Sequence, residues 1–385
     1  MNKSIFKKYY QLLSVRNIRI FLLMTLLTST GFYFSISVLY MKSRGLDLFQ
    51  IYLLESVISI SIMFLEIPTG YLADRFSRKA FVVWGHLFFF LNMLIFYFAR
   101  SFPFFALADI CFGIAIAMVS GADRALLIGT LKEDGRNSDT KELFSLLKSC
   151  RTLALLISLP IGSWLASYNL AFPVLAHVLV LGLAFSLAFL LEEPEVEISG
   201  TNDEEGDFTI RGSFRWLSDR KYLIYIIVVN TFLFNIGLSM FSVNQILFKQ
   251  WGIGVGYYGV IMALAQIVQI IVLLFIPALE EKMGFQWSIL TLLILVMLTI
   301  QSLILPLNLV ILLVLFILTV AFVNCFEPLI QDYLNRLIPD RQRATILSII
   351  SFYGSIIGIC MKPIIGYLAK RSVNLLLEVF VIGLL

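Results

Sequence analysis

The side chains of this 385-residue chain that could do chemistry stand inside long apolar runs: Glu55, Glu66, Asp109, Asp123, Arg124, Glu327, Asp332 and Lys362. An ionisable group within a membrane-spanning helix costs at least ~2.5–3.5 kcal/mol, so it normally faces a partner or a water-filled path. The chemistry open to such groups is charge pairing and the binding or release of a proton or another cation. Other chemistries lack their residues. There is no glycine-rich phosphate loop with a Walker-type Lys-Ser/Thr, no zinc-ligand spacing and no Ser/His/Asp set with believable placement. The chain therefore reads as no enzyme, with no cofactor, no metal and no nucleic acid as partner, driven by an ion or substrate gradient.

Composition explains why those residues sit where they do. Hydrophobic residues make up 59% and charged residues 14%, with a mean hydropathy of +0.92, so lipid is the solvent for most of the chain. A spanning helix takes about 20 apolar residues. Apolar runs between charge clusters predict twelve segments, at 19–41, 48–73, 79–99, 102–128, 144–168, 170–191, 221–248, 256–280, 285–305, 307–335, 344–369 and 373–385. The twelfth is about 20 Å long at 1.5 Å per residue, short of a hydrocarbon core of about 30 Å, and is expected to be truncated. The basic amino end carries no cleavable signal, because the first apolar run is long enough to span. Cys111, Cys150, Cys325 and Cys360 are widely spaced and read as small buried hydrophobes.

Segments 2 and 3 meet in a tight charged turn, Glu66-Ile-Pro-Thr-Gly70-Tyr-Leu-Ala-Asp74-Arg75-Phe-Ser-Arg78-Lys79. Its charges have to stay in water on one fixed side. With the amino end inside, most Lys and Arg residues fall in inner segments, among them Lys7, Arg78, Lys132, Lys148, Arg215 and Arg341, so both termini are expected to be cytoplasmic. The Gly70-Tyr-Leu-Ala end of segment 2 is echoed by Gly366-Tyr-Leu-Ala in segment 11, and more loosely by Gly162-Ser-Trp-Leu-Ala and Pro277-Ala-Leu in segments 5 and 8. An echo in every third segment, in alternating orientation, points to inverted three-helix repeats. The hydrophilic stretch 192–220 is acidic from Glu192 to Asp207 and basic around Arg211 and Arg215, and it divides the chain into 1–191 and 221–385 as a solvated linker.

The turn resembles the loop motif G-x-L-a-D-r-x-G-r-K of the major facilitator superfamily. Gly70, Leu72, Asp74, Arg75, Arg78 and Lys79 match, and Ser77 stands where the second glycine is usual. The resemblance implies an all-α polytopic membrane protein, with two six-helix bundles built from inverted three-helix repeats. It also implies roles for individual residues. Segments 2 and 11 touch in the superfamily, so Glu55 and Lys362 are expected to pair when an outer gate is shut and to part when it opens. Asp74 is expected against the start of segment 11, near Arg343-Ala-Thr345, as a conformational latch. Asp123 is expected to bind Arg78, with Glu66 and Arg75 in the same cluster.

Drug-exporting members carry R-x-x-x-G on helix 4; here Asp109 stands at the arginine position, ahead of Gly113. Asp109, Glu327 and Glu66 are the candidates for coupling to a proton or other cation. Pro160 and Gly162 partly match the helix 5 pattern of proton-antiporting exporters and equally suit a tolerated kink. Because segments 1, 7 and 10 face the cavity in relatives, Phe34, Asn230, Phe234 and Asn235 are the candidates to line an apolar, promiscuous substrate site. His86 and His177 are expected only to pack.

The Glu-Ile-Pro-Thr-Gly entry to the loop resembles bacterial drug-export members. The expectation is a monomeric secondary transporter in a bacterial plasma membrane, exporting hydrophobic or amphipathic small molecules in exchange for protons. A proton-coupled nutrient importer is the first alternative. A non-transporting receptor or scaffold that keeps the fold is the second.

Overall fold

The computed structural model describes residues 3–75, 77–195, 220–338 and 343–384, and every regular element among them is helical. Lipid offers backbone groups no hydrogen-bond partner, so an apolar chain of this length satisfies them within helices. In order these are α1 (Lys3–Leu12), α2 (Arg16–Thr28), a 3-10 turn at Phe34–Ile36, α3 (Ser37–Ser43), α4 (Leu48–Arg75), α5 (Arg78–Phe98), α6 (Phe102–Val119), α7 (Ala122–Glu133), α8 (Thr140–Tyr168) and α9 (Ala171–Ala188). They continue with α10 (Lys221–Gln250), α11 (Tyr258–Ser302), α12 (Leu309–Val323), α13 (Phe326–Leu337), α14 (Arg343–Arg371) and α15 (Val373–Leu384).

Among the described residues, nine helical stretches are long and apolar enough to cross a membrane. The stretch Val255–Ser302 contains two expected segments, joined at Gly284, whose φ of 78° and ψ of 162° break the helix. Two expected segments fall outside that set. The first is divided into α2, the 3-10 turn and α3, and the last is the short α15. Segments 4 and 10 are also divided, at Ser120-Gly121 and at Asn324-Cys325. Gly121 has a φ of 88°, a left-handed conformation that glycine adopts without steric cost, and there α6 gives way to α7.

By its contacts the chain forms two compact units. One comprises Met1–Ile36, Ser43–Gly45 and Val57–Asn202; the other comprises Ser37–Lys42, Leu46–Ser56 and Asp203–Leu385. In the first unit α5 packs on α6 and α9, and α2 packs on α8 and α9. Its core joins Leu12, Ile18, Met24, Val82, Leu126 and Leu143, all essentially buried. In the second unit α11 packs on α12 and α15, and α10 packs on α14. The start of α4, residues 48–56, belongs to this second unit and lies against α14. There a Cβ on Gly366 would stand 2.8 Å from the Tyr52 Cβ and 3.1 Å from the Phe49 Cα. Segment 11's echo of the loop glycine is thus a close-packing position.

Candidate functional site

The first unit is built around the break in the first segment. Residues 29–33 leave the helix, and their backbone groups find partners elsewhere: the Gly31 N–H donates to Ser158 Oγ at 2.7 Å. Gly162 makes the approach of α8 possible, since a Cβ there would fall 1.8 Å from the Phe32 carbonyl oxygen. Gly162 therefore has a packing explanation. The Thr30 hydroxyl donates to the Leu27 carbonyl at 2.8 Å, which leaves its oxygen to accept from His177 Nδ1, 3.2 Å away. Tyr33 stacks obliquely on His177 with ring centroids 5.0 Å apart and meets Phe34 edge-on at 4.8 Å.

Behind this break lies a cavity of about 300 Å³, bounded by Met24, Thr28, Phe34, Phe89, Phe112 and Leu181 among its apolar and hydroxyl walls, and by His86, His177, Asp123 and Arg151 among its polar ones. It shares Phe89, Ile116, Val119, Asp123 and Arg151 with a neighbouring space of about 470 Å³ that adds Arg124 and Phe144. His86 donates from Nδ1 to the Val82 carbonyl at 2.8 Å, which fixes its tautomer and leaves Nε2 as an acceptor. Both histidines were expected only to pack; they line this cavity as well.

Asp123 occupies the first turn of α7 and accepts from its neighbour's backbone, Arg124 N–H to Oδ1, at 2.6 Å. The positive charges beside it are Arg151 and Arg124. Among the described residues no hydrogen bond or ion pair joins Asp123 to Arg78, the expected partner; Asp123 serves its own helix start and lines the same cavity as Arg151 of α8. Asp109 is buried on α6, within electrostatic reach of Tyr33.

The second unit brings Glu55 and Lys362 together. Lys362, 9% exposed, is the positive charge beside Glu55 and donates from Nζ to the Glu55 backbone oxygen at 3.0 Å. Ser242 Oγ donates to Glu55 Oε1 at 3.0 Å, and Ser56 Oγ donates to the Ile359 carbonyl at 3.2 Å. Two further links tie the same stretch down: the Tyr52 hydroxyl to Ser239 O at 3.3 Å, and Lys370 Nζ to Asp47 Oδ2 at 2.8 Å.

The side chains of Gly70, Asp74 and Arg75 lie outside the described residues, as do those of Arg343–Thr345 and the linker residues 196–219, including Arg211 and Arg215. Ser77, Arg78 and Lys79 of the charged turn are tied to Glu193, a residue of the acidic stretch expected to be linker. Glu193 accepts from Ser77 Oγ at 2.5 Å, from the Arg78 N–H at 3.0 Å and from the Lys79 N–H at 2.7 Å. Ser77, standing where the motif has glycine, is the N-cap of α5 and accepts from the Ala80 N–H at 3.1 Å. Beside it Glu192 pairs with Arg16, and its backbone exchanges two 2.9 Å hydrogen bonds with the Asn17 amide.

The remaining candidates are dispersed. Glu66 is exposed on α4, and Glu327 is exposed in the first turn of α13, where it accepts from Gln331 Nε2 at 3.2 Å. The break at Asn324-Cys325 separates Glu327 from the helix above it. Asp332 pairs with Arg336 one turn on, at 2.5 Å. On α10, Asn235 donates to the Thr231 carbonyl at 2.8 Å, Asn230 has a buried, unpartnered Oδ1, and Phe234 is exposed. Of Phe34, Asn230, Phe234 and Asn235, Phe34 lines the first unit's cavity. Arg151 was missed, because at a segment's start it reads as a flank.

The family model of the Major Facilitator Superfamily matches residues 20–363. A Bacillus subtilis (strain 168) protein described as the uncharacterized MFS-type transporter YxaM is 24% identical over 352 residues, which covers 88% of this chain and 85% of that one. Among solved structures, a mutant of the nucleoside transporter NupG superposes with a TM-score of 0.80 at 14% identity, covering 96% of this chain and 97% of the other. A bacterial homologue of the iron transporter ferroportin does so at 0.71 and 15%, covering 96% of each chain, and a D-xylose–proton symporter at 0.68 and 13%, covering 95% of each chain. Such low identities speak for the fold alone. The match across most of its length, on an all-helical membrane architecture, makes this chain a member of the Major Facilitator Superfamily, a secondary transporter and not an enzyme.

Proposed function

We propose that the protein is a monomeric, proton-coupled exporter of hydrophobic or amphipathic small molecules, working by alternating access in a bacterial plasma membrane with both termini cytoplasmic. The observation that carries the reading is Asp109. It is a carboxylate buried in an apolar helix, within electrostatic reach of Tyr33, whose ring borders an aromatic cavity. A group that gains and loses a proton there changes the charge felt by anything bound beside it. Glu55 and Lys362 supply the conformational element: their contact stabilises one state, and its release permits another. Asp74, Arg75, Arg78 and Lys79 act as the latch on the inner side, with Glu66 beside them and Glu327 as the second coupling candidate. Asn230, Phe234 and Asn235 offer cargo contacts from α10.

Cells expressing the protein and loaded with fluorescent amphipathic probes test this reading. Loss of probe that stops on adding a protonophore, and that Asp109→Asn slows at least tenfold, supports proton-driven export. Net uptake of the probe under the same gradient supports an importer. No flux of any probe in either direction supports a receptor or scaffold.

A further inference from the structure

We propose that the cavity inside the first unit is a binding site for a small aromatic anion, its ring among the phenylalanines and its acid group held by Arg151. This deepens the export reading by naming the class of cargo. The inner part of the cavity measures about 300 Å³ and is walled by Phe21, Phe34, Phe89 and Phe112 together with Tyr33. A cavity of ~150 Å³ takes benzene, so this one has room for a fused two-ring system. The polar groups inside are fixed before any ligand arrives. His86 and His177 are 4% and 5% exposed, each held through Nδ1, and Asn92, 4% exposed, is anchored by its donation to the Ala108 carbonyl at 2.9 Å.

Charge decides the class. Where the inner part meets the open space, the ionised side chains are Asp123, Arg124 and Arg151, two positive and one negative. Arg124 lies over the Phe144 ring, 5.2 Å from its centroid, and Asp123 accepts from the Arg124 backbone N–H. Of the two guanidiniums, Arg151 is the one lining both the inner and the open part, and among the described residues no carboxylate lies within ion-pair distance of it. Arg151 is exposed, so its planar fork of donors is accessible to a carboxylate or sulfonate in a bidentate pair. Asp123 disfavours a second negative charge on the same molecule, so the site suits monoanions.

Equilibrium binding to the purified full chain in lipid nanodiscs tests this with three probes of one shape: 1-naphthoate, 1-naphthalenemethanol and 1-naphthylmethylammonium. The expected order is naphthoate tightest and the ammonium weakest. Arg151→Gln weakens naphthoate at least tenfold, Arg151→Lys weakens it less, and both leave the alcohol within twofold. Equal affinity for naphthoate and the alcohol in the unaltered protein overturns the proposal. So does an equal loss of both on Arg151→Gln, or no loss of either. Phe112→Ala, which keeps every charge, is expected to weaken the alcohol and naphthoate alike; unchanged binding of both would remove the ring from this cavity. Proton-driven flux measured on the same proteins separates the two readings. Selective naphthoate binding without flux leaves the site standing and removes the export reading, whereas flux without selective binding does the reverse.

Discussion

The two units use their polar groups differently. In the first they border a cavity: the buried His86 and His177, the half-buried Asp123 and the exposed Arg151 line it together with aromatic rings. In the second they gather on a seam, where residues 46–56 lie on α14 and α10 and where Glu55, Ser242, Lys362 and Tyr52 satisfy one another or nearby carbonyls. A polar cavity is suited to receive a ligand, because its groups are fixed and not all are paired. A paired seam is suited to open and close, because its groups lose partners when it parts. On the proposed reading, binding and gating fall to different groups of residues, and each can be broken without the other.

Glycine replacements give the largest contrast. Gly162→Ala sets a methyl 1.8 Å from the Phe32 oxygen, against backbone that cannot yield, and should destroy the first unit's cavity wall. The expected loss is above about 3 kcal/mol, seen as little folded protein by size-exclusion chromatography. Gly354→Ala, in the second unit, meets only the Thr231 hydroxyl oxygen at 3.5 Å and should be neutral or stabilise its helix by up to ~1 kcal/mol. Gly366→Ala lies between the two, costing ~1–3 kcal/mol, because it presses on the seam. If Gly162→Ala folds as well as Gly354→Ala, the broken first segment does not pack on α8 as described.

Next comes the seam pair. Lys362→Met leaves the Glu55 carboxylate buried without its positive neighbour, at an expected cost of about 3 kcal/mol, the low end for such a loss because Ser242 still donates to it. Thermal unfolding should fall accordingly, and transport at least tenfold. Combining Lys362→Met with Glu55→Gln removes both charges and should restore most of the stability but not the transport. Additive losses in the double variant would mean that the two residues act independently.

A smaller effect separates the charged turn from both regions. Glu193→Ala removes a carboxylate that serves the Arg78 and Lys79 N–H groups and the Ser77 hydroxyl at the start of α5. About 1 kcal/mol is expected, since the contact is exposed and Ser77 still caps Ala80. A change in transport well beyond that stability loss would give Glu193 a part in the movement of the turn.

Much of this was legible in the residues. Charges within apolar runs singled out Glu55 and Lys362, because a membrane leaves such groups few places to go, and the structure brings them together. The charged turn announced itself through the same cost. What stayed hidden was set by contacts distant in sequence. The first segment carries Thr28-Ser-Thr-Gly31 where its helix stops, a turn-like cluster that counting apolar residues over the whole run passes over; the break persists because Ser158 and His177, on other helices, meet Gly31 and Thr30. Arg151 looked like a helix flank because its cavity is assembled from several helices. Ser77 looked like a departure from a pattern, whereas its hydroxyl supplies a cap that glycine lacks.

The smallest expected effect tests the exposed end of the seam. Asp47 and Gln50 form a reciprocal cap at the start of α4, Gln50 N–H to Asp47 Oδ1 at 2.8 Å and Asp47 N–H to Gln50 Oε1 at 3.1 Å, while Lys370 donates to the other carboxylate oxygen at 2.8 Å. The Lys370 hydrogen bond chiefly holds the Asp47 carboxyl below its ordinary value. A lowered carboxylate contributes stability above its unfolded value of about 3.9, and loses it as pH falls through the folded value. Asp47→Asn keeps a good cap and removes the charge, so it isolates the Lys370 link. Because the two side chains are 39% and 55% exposed, solvent screening holds the difference to no more than ~1 kcal/mol. Unfolding temperatures of the two proteins should therefore differ slightly at pH 7 and converge toward pH 3, and the gap should shrink in high salt. A gap that stays constant down to pH 3 would place the stabilisation in the cap, and the seam would then depend on its buried half, Glu55 and Lys362, alone.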